Sequence, residues 1–391
     1  MKVCLLSKMF PPITGGSAMY AYEIANSLGD RGHNVDVYTQ SEVEDESTLE
    51  VHDNATVHTL TNSRRYLVTF ETLYYSIRAR AGVDLDDYDV IHGTLMPSST
   101  IALGDRVTFD TPIVLTSHSF ALSAIRYHTP EKPADYLLKY VFHPMNAVMD
   151  AITARRADRV IAISKSMERK FVEQYRIPAD RVITITHGVD TEHFRPVSNQ
   201  YPETSEDKLT LLFVGRLNAA KGPQLAVKAL AESEFTDVEL LIAGSGRQRK
   251  ALERQASELG VADDVHFLGH VSRERLPRLY SSADLTLFLS TYEGFGLVFM
   301  ESLAAGTPVI GVAIGGFPDL VTDGQEGILV ERDAKAIARA IESLADAPEQ
   351  IREMGRHARK LAEGHTWDAV AEETEHVYRN ILENDALDPE L

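Results

Sequence analysis

Short runs of β-branched and apolar residues alternate with stretches of helical length from one end of this chain to the other. The runs fall at residues 3–7, 35–39, 89–93, 112–118, 159–164 and 181–188, then at 209–216, 238–246, 284–290, 308–313 and 327–330. A strand that is nearly continuous in hydrophobicity has both faces buried, and helices between successive strands mean that those strands run parallel. The pattern predicts an α/β, doubly wound fold. It predicts that fold twice, because residues 195–208 interrupt the alternation with a polar, aperiodic stretch holding Pro196 and Pro202. The expected domains are 1–196 and 209–366, joined by a linker at 197–208, and a length of 391 residues is enough to give each its own core. Beyond residue 330 only helical patterns remain, at 334–345, 349–362 and 367–382. The segment 367–391 is expected to pack back toward the first domain, with residues 384–391 frayed.

The chain carries 58 acidic against 39 basic side chains, and this net charge of −19 argues against a nucleic-acid partner. The acid is uneven. Residues 1–196 hold 20 basic and 25 acidic side chains and residues 197–391 hold 19 and 33, so the first half is the better match for an anionic surface. Few lysines, 12 beside 27 arginines, together with excess acid resemble proteins of high-salt cytoplasms. No run approaches the roughly 20 uninterrupted apolar residues of a membrane span. The apolar start at residues 1–10 is short and broken by Lys8, unlike the core of a signal peptide. A lone Cys4 excludes an internal disulfide and fits a reducing, cytoplasmic setting.

Ligands of doubly wound sheets bind beyond the C-terminal strand ends, so the residues that follow each run are the candidates for chemistry. The most informative are Glu293, Gly294, Phe295, Gly296, Leu297 and, on the same segment, Glu301. A helix starting near Gly296, at about 3.6 residues per turn, puts Glu301 on the helix and Glu293 on the loop before it. Both carboxylates can then face one small polar ligand. The amides of Gly296, Leu297 and Val298 would stand free at the helix N-terminus, a place that suits a phosphate. Two acceptors for hydroxyls beside an anion hole suggest a phosphorylated sugar; the alternative is a solvated helix face. Gly15 and Gly16 open a helix where backbone can approach a ligand, or they simply turn the chain. His118 stands at a strand end, as a working imidazole or as a satisfied polar residue. Arg216 and Lys221 bracket the first loop of the second domain, where a diphosphate needs cations, although surface charge explains them too. Gly244 and Gly246 form a glycine turn, but Arg249 fills the sixth position of G-x-G-x-x-G, so a dinucleotide site is poorly supported, and no P-loop pattern occurs. Asp84 and Asp86 make a D-x-D that can hold a divalent ion, yet they precede the run at 89–93, at the wrong end of the sheet, and read as solvated surface. No metal is expected.

These pieces together resemble the retaining glycosyltransferases of family 4, whose GT-B architecture sets two Rossmann-like domains face to face around a cleft. The resemblance covers nearly the whole chain. It runs through Pro11-Pro12 and Gly15-Gly16, Thr116-x-His118, Ala162-Ile163-Ser164, Gly188-Val189-Asp190 and Gly215-Arg216-Leu217 with Lys221-Gly222. It continues through Phe267-Leu268-Gly269, Glu293 to Glu301, Ala305 to Val309, Gly315-Gly316 and the Trp367 helix. The resemblance implies that Arg216 and Lys221 bind a donor diphosphate, with Gly15 and Gly16 approaching from the other domain. Glu301 would hold the ribose and Glu293 the transferred sugar, with amides of residues 294–297 in contact and His118 beside the reacting sugar. Loops at Gly244, Gly246 and Val271 would frame the base. It implies a front-face reaction in which the leaving phosphate helps deprotonate the acceptor, with no metal and no cofactor beyond the nucleotide diphosphate sugar. GDP-mannose, UDP-glucose and UDP-N-acetylhexosamines all serve the family. The chain departs from the family's frequent Asn-Gly-Val-Asp at His187 and from its frequent Glu at Asp319.

For the hydroxyl acceptor, Arg64, Arg65, Arg78 and Arg80 flank the aromatic stretch 66–75, and residues 133–156 carry Tyr136, Tyr140, Phe142 and Met145 ahead of Arg155 and Arg156. Basic, aromatic, amphipathic helices suit a membrane interface and hence a lipid-linked acceptor or cell-surface glycan precursor at the inner face of the membrane. A helix packed on its own sheet is the alternative. Two other functions share the pattern: a non-hydrolysing nucleotide-sugar epimerase, and a non-catalytic nucleotide-sugar-binding protein.

Overall fold

The computed structural model describes residues 1–11, 15–40, 51–60, 75, 78–79, 82–94, 110–127, 136–198, 201, 204 and 207–387. The aromatic stretch with Arg64, Arg65 and Arg80 lies outside them, except for Tyr75.

Two compact units form: Met1–His187 with Trp367–Leu391, and Gly188–Thr366. The first holds a parallel sheet in the order β3-β2-β1-β4-β5-β6-β7. Its strands are β1 (Lys2–Leu6), β2 (Asn34–Thr39), β3 (Ala55–Thr59), β4 (Val90–Gly93), β5 (Ile113–Ser117), β6 (Arg159–Ala162) and β7 (Val182–Thr184). The second unit holds the order β10-β9-β8-β11-β12-β13, also parallel. These strands are β8 (Leu209–Val214), β9 (Val238–Ala243), β10 (Val265–Gly269), β11 (Leu285–Phe288), β12 (Val309–Val312) and β13 (Gly327–Val330). Both sheets are doubly wound as expected, and the strand order reverses beside β1 in the first and beside β8 in the second. That reversal opens a crevice at the C-terminal strand ends.

Two strands have no counterpart among the expected runs, β3 and β10, and both are sheet edges. An edge strand is covered less. The residues of β3 are all part-buried or exposed, so the strand tolerates Thr56, His58 and Thr59, and its sequence lacks the apolar continuity of an interior strand. β10 is likewise part-buried beyond Val265 and carries a register shift between Phe267 and Gly269. Interior strands were expected to run further than they do. β8 stops at Val214 rather than at residue 216, and β9 at Ala243 rather than at 246, because glycines at 215 and 244 turn the chain out of the sheet.

The compact first unit closes at His187, and residues 188–196, expected in the first domain, pack with the second unit. Val189 donates to His365 O at 2.9 Å, and Arg359 Nη1 reaches the carbonyls of Thr191, Phe194 and Ala304 at 3.0, 2.9 and 2.8 Å. Further on, Val197 N donates to Ser281 Oγ and Tyr201 N to Ser282 Oγ. Within the stretch expected as a linker, Val197 and Tyr201 are therefore fastened to the second unit. The helix Trp367–Leu387 belongs to the first, where it packs against the helix Gly16–Asp30 and buries Trp367, Val370, Tyr378 and Ile381. Arg31 Nε donates to the buried Glu375 at 2.9 Å on the seam. Local signals set the helix starts: Ser164 accepts from Met167 N ahead of Lys165–Glu173, and Asp333 accepts from the amides of Lys335 and Ala336 ahead of Ala334–Ala345.

Candidate active site

In the second unit, three loops at the C-terminal strand ends are zipped together by backbone. Leu217 N donates to Ser245 O at 2.9 Å, Gly215 N to Ala243 O at 3.0 Å and Gly244 N to Gly269 O at 2.6 Å. A Cβ on Gly244 would run into Gly215 O, and one on Gly246 into Leu217 O. These two glycines, expected as a frame for a base, are thus already demanded by the chain's own close approach. Val271, from the same expectation, is buried just beyond β10. The zipper buries Leu217 and turns Arg216 outward, exposed and without an ion pair among the described residues.

Lys221 is delivered by a turn in which its amide donates to Asn218 Oδ1 at 3.1 Å. Gly222 follows with φ +82°, left-handed, and packs so tightly on Leu289 O that no side chain fits. Thr291 N donates to Ala220 O at 2.6 Å, which ties this turn to the loop after β11. Lys221 Nζ consequently meets Glu293 Oε1 in an ion pair, and Ser290 Oγ donates to the same oxygen at 2.9 Å. Both donors land on Oε1. Glu293 Oε2 has no partner among the described residues.

Gly294 and Phe295 follow in the loop, with Phe295 O held by Gly316 N at 3.0 Å and the Phe295 ring buried. Gly296 caps the helix Leu297–Ala304 in a left-handed conformation, so the helix begins where the glycine pattern placed it. The amides of Gly296, Leu297 and Val298 take no acceptor among the described residues. Glu301 lies on that helix and accepts from Tyr280 Oη through Oε2 at 2.8 Å, leaving Oε1 open. Burial raises the Glu301 carboxyl, while the Tyr280 hydrogen bond and the Arg273 charge oppose that rise. The site thus offers two open carboxylate oxygens, one anchored amine, one exposed guanidinium and one helix N-terminus.

In the first unit His118 follows β5 directly. Its Nδ1 lies 3.1 Å from His187 Nε2, and both rings rest on Tyr20, with centroids 4.6 and 5.1 Å away. Tyr20 Oη is hydrogen-bonded to Thr116 Oγ1 at 3.0 Å, and Thr116 in turn to His92 Nε2 at 2.8 Å. Burial pushes His92 and His187 down to about 3 and His118 well below the usual imidazole value, with the neighbouring histidines adding to the last shift. All three are neutral at physiological pH. Gly15 and Gly16 begin the helix that supplies Tyr20, and the space beside Gly15 is open. Pro12, expected in the same loop, lies outside the described residues. Asp84 and Asp86 are exposed at the entry of β4, the end opposite these groups.

The residue pattern did not reveal Tyr280, Ser290 or Tyr20, each of which rests against a candidate. Only His187 left a signal, as a departure from the usual asparagine.

A family model for glycosyl transferases group 1 matches residues 195–361, and one for glycosyltransferase family 4 matches residues 14–193. The chain is 31% identical to a D-inositol 3-phosphate glycosyltransferase of Thermomonospora curvata, over 93% of this chain and 90% of that one. It belongs to the group 1, family 4 glycosyltransferases. Among solved structures, sucrose-phosphate synthase from Thermosynechococcus elongatus is 26% identical, with a TM-score of 0.83 over 98% of this chain and 99% of that one. Anabaena HepE in complex with UDP-glucose is 21% identical, has a TM-score of 0.74 over 97% and 100% of the two chains, and shares the fold. The fold of this glycosyltransferase is therefore GT-B, two Rossmann-like units, and its two family models divide within a few residues of the unit boundary.

Proposed function

We propose that the enzyme moves a hexose from a nucleotide diphosphate sugar to a hydroxyl acceptor with retention of anomeric configuration and without a metal. The observation that carries this reading is the division of labour on Glu293: Oε1 is held by Lys221 and Ser290, and Oε2 is free for a sugar hydroxyl. Glu301 has the same form, with Tyr280 on one oxygen and the other open for ribose. A diphosphate would compete for Lys221 Nζ, and Ser290 would keep Glu293 in place as the lysine turns toward phosphate. Arg216 and the amides of Gly296, Leu297 and Val298 would meet the remaining phosphate oxygens. In the front-face reaction the acceptor oxygen bonds to the anomeric carbon as the bond to the β-phosphate oxygen breaks, and the acceptor proton passes to that phosphate. Charge builds on the leaving phosphate, and fixed cations and amides stabilise charge most where it develops. His118, neutral, would stand beside the reacting sugar.

UDP-glucose, GDP-mannose and a UDP-N-acetylhexosamine are the donors proposed, and the UDP-glucose complex of HepE supports the first. The acceptor proposed is lipid-linked, met at the inner face of the membrane. Its support is the helix 136–156, where Tyr136, Leu137, Tyr140, Val141, Met145 and Val148 are exposed. Apart from Ile183 and Leu259, these are the exposed large hydrophobic residues among the described ones. No described helix is long and apolar enough to cross a membrane.

A thermal-shift screen of the three nucleotide sugars tests the donor, since a ligand of the folded state raises its stability by mass action. Turnover with the best donor should fall about a hundredfold or more in Lys221→Ala, the loss expected when a preorganised charge at the leaving group is removed. Full turnover in that variant, or release of an epimerised donor without any acceptor, defeats the proposal.

A further inference from the structure

His118 is packed so that one nitrogen has a partner and the other has none. Nδ1 faces His187 Nε2 at 3.1 Å, whereas Nε2 is buried without a hydrogen-bond partner among the described residues. Two neutral imidazoles facing each other can place only one hydrogen between them. In one arrangement His118 carries its proton on Nδ1 and donates to His187, and His118 Nε2 then presents a bare lone pair. In the other, His187 donates from Nε2, and His118 must hold its proton on its own Nε2. The hydrogen bond at one nitrogen of an imidazole sets what the other nitrogen offers.

We infer that His187 is a positioning residue that fixes both the tautomer and the ring orientation of His118. The surrounding cluster leaves no rival for that task. His92, the other imidazole in the cluster, is occupied by Thr116 at Nε2 and by Tyr378 Oη at Nδ1, 2.5 Å away. Tyr20 lies against both members of the pair and is itself tied to Thr116, so the platform beneath the two rings cannot slide. Trp367 closes on His187 from another side, with ring centroids 5.7 Å apart.

The inference rests on the placement of His118 beside the reacting sugar, and its test separates the two. The nitrogen-15 shifts of His118, assigned by their loss in His118→Ala, report its tautomer directly. In the full-length enzyme they should show one tautomer. In His187→Phe, which keeps a ring on Tyr20 but removes the polar atom, they should move to the other tautomer or to a mixture. The kcat should fall about tenfold or more while KM for the donor stays within about twofold, as when an outer partner orients an imidazole. His187→Gln, which can hydrogen-bond Nδ1, should recover most of the loss, and it stands in if the phenylalanine variant does not fold. Unchanged His118 shifts in a folded His187→Phe overturn the inference whatever the activity does. Full turnover in His118→Ala overturns the placement of His118, and the inference with it.

Discussion

Glu293 and Glu301 each commit one oxygen to the protein and keep the other open, and each takes a partner from a distant stretch of chain, Lys221 for the first and Tyr280 for the second. Such pairings are decided by which loops meet at the strand ends, which is why the two carboxylates could be singled out from spacing while Tyr280 could not. Asp150 shows the same point in the core of the first unit. It sits on the helix His143–Arg156, accepts from the Ala121 amide and from Tyr175, and burial pushes its carboxyl up to about 7. Unfolded, the group returns to its ordinary 3.8. Between those values the folded chain holds more protons than the unfolded one, so this group's contribution to stability falls as pH rises from about 4 to about 7 and is flat above. The slope is at most about 1.4 kcal/mol per pH unit. Asp150→Asn should remove it, seen as a pH-dependent difference between the denaturation midpoints of variant and parent. A constant offset across that range would refute the assignment. The lowered histidines titrate in both proteins and cancel in the difference.

Among the elements, the helix 136–156 departs most from regular geometry. Residues Leu138–Phe142 form a π turn, and Pro144 explains it: a proline has no amide to give to the carbonyl four residues back and crowds that carbonyl, so the turn widens. Tyr136 and Tyr140 stack at 6.3 Å on the exposed side, while Ala147, Asp150 and Ala154 face inward. An exposed aromatic stripe with Lys139, Arg155 and Arg156 on the same element fits an interfacial surface. Flotation with anionic vesicles should carry the enzyme upward, and Tyr140→Ser with Val148→Ser should reduce the floated fraction several-fold while leaving the melting temperature unchanged. No flotation of the parent at any salt concentration removes the membrane from the proposal. Periodicity exposed most of the other elements well, because interior strands and amphipathic helices must carry their burial in their own residues. The edges β3 and β10 escaped for the opposite reason, since half-covered strands need little apolar continuity.

At the scale of the whole molecule, the first unit is assembled from both ends of the chain. Trp367 and Tyr378 close over Tyr20 and His92, and Glu375 ties to Arg31. Removing residues 367–391 should cost the first unit on the order of 5–10 kcal/mol, from several large side chains at about 1.5–3 kcal/mol each, which rivals the stability of a domain. Hydrogen exchange should then show β1 and β4 unprotected with β8 and β9 still protected; retained protection in β1 would contradict the packing described. The two-sheet organisation was legible from strand spacing, but the position of the boundary was not. Composition marks where a chain is polar, whereas the boundary is set by Val189 bonding to His365, a pairing between residues far apart in sequence. The same arrangement has a consequence in time. A ribosome that has made residues 1–187 must add roughly 180 more before the closing helix exists, on the order of ten seconds or longer at typical synthesis rates. Through that interval the second sheet, whose last strand ends at Val330, can form, while the histidine cluster of the first waits open for its lid. The part of the enzyme begun first is the part completed last.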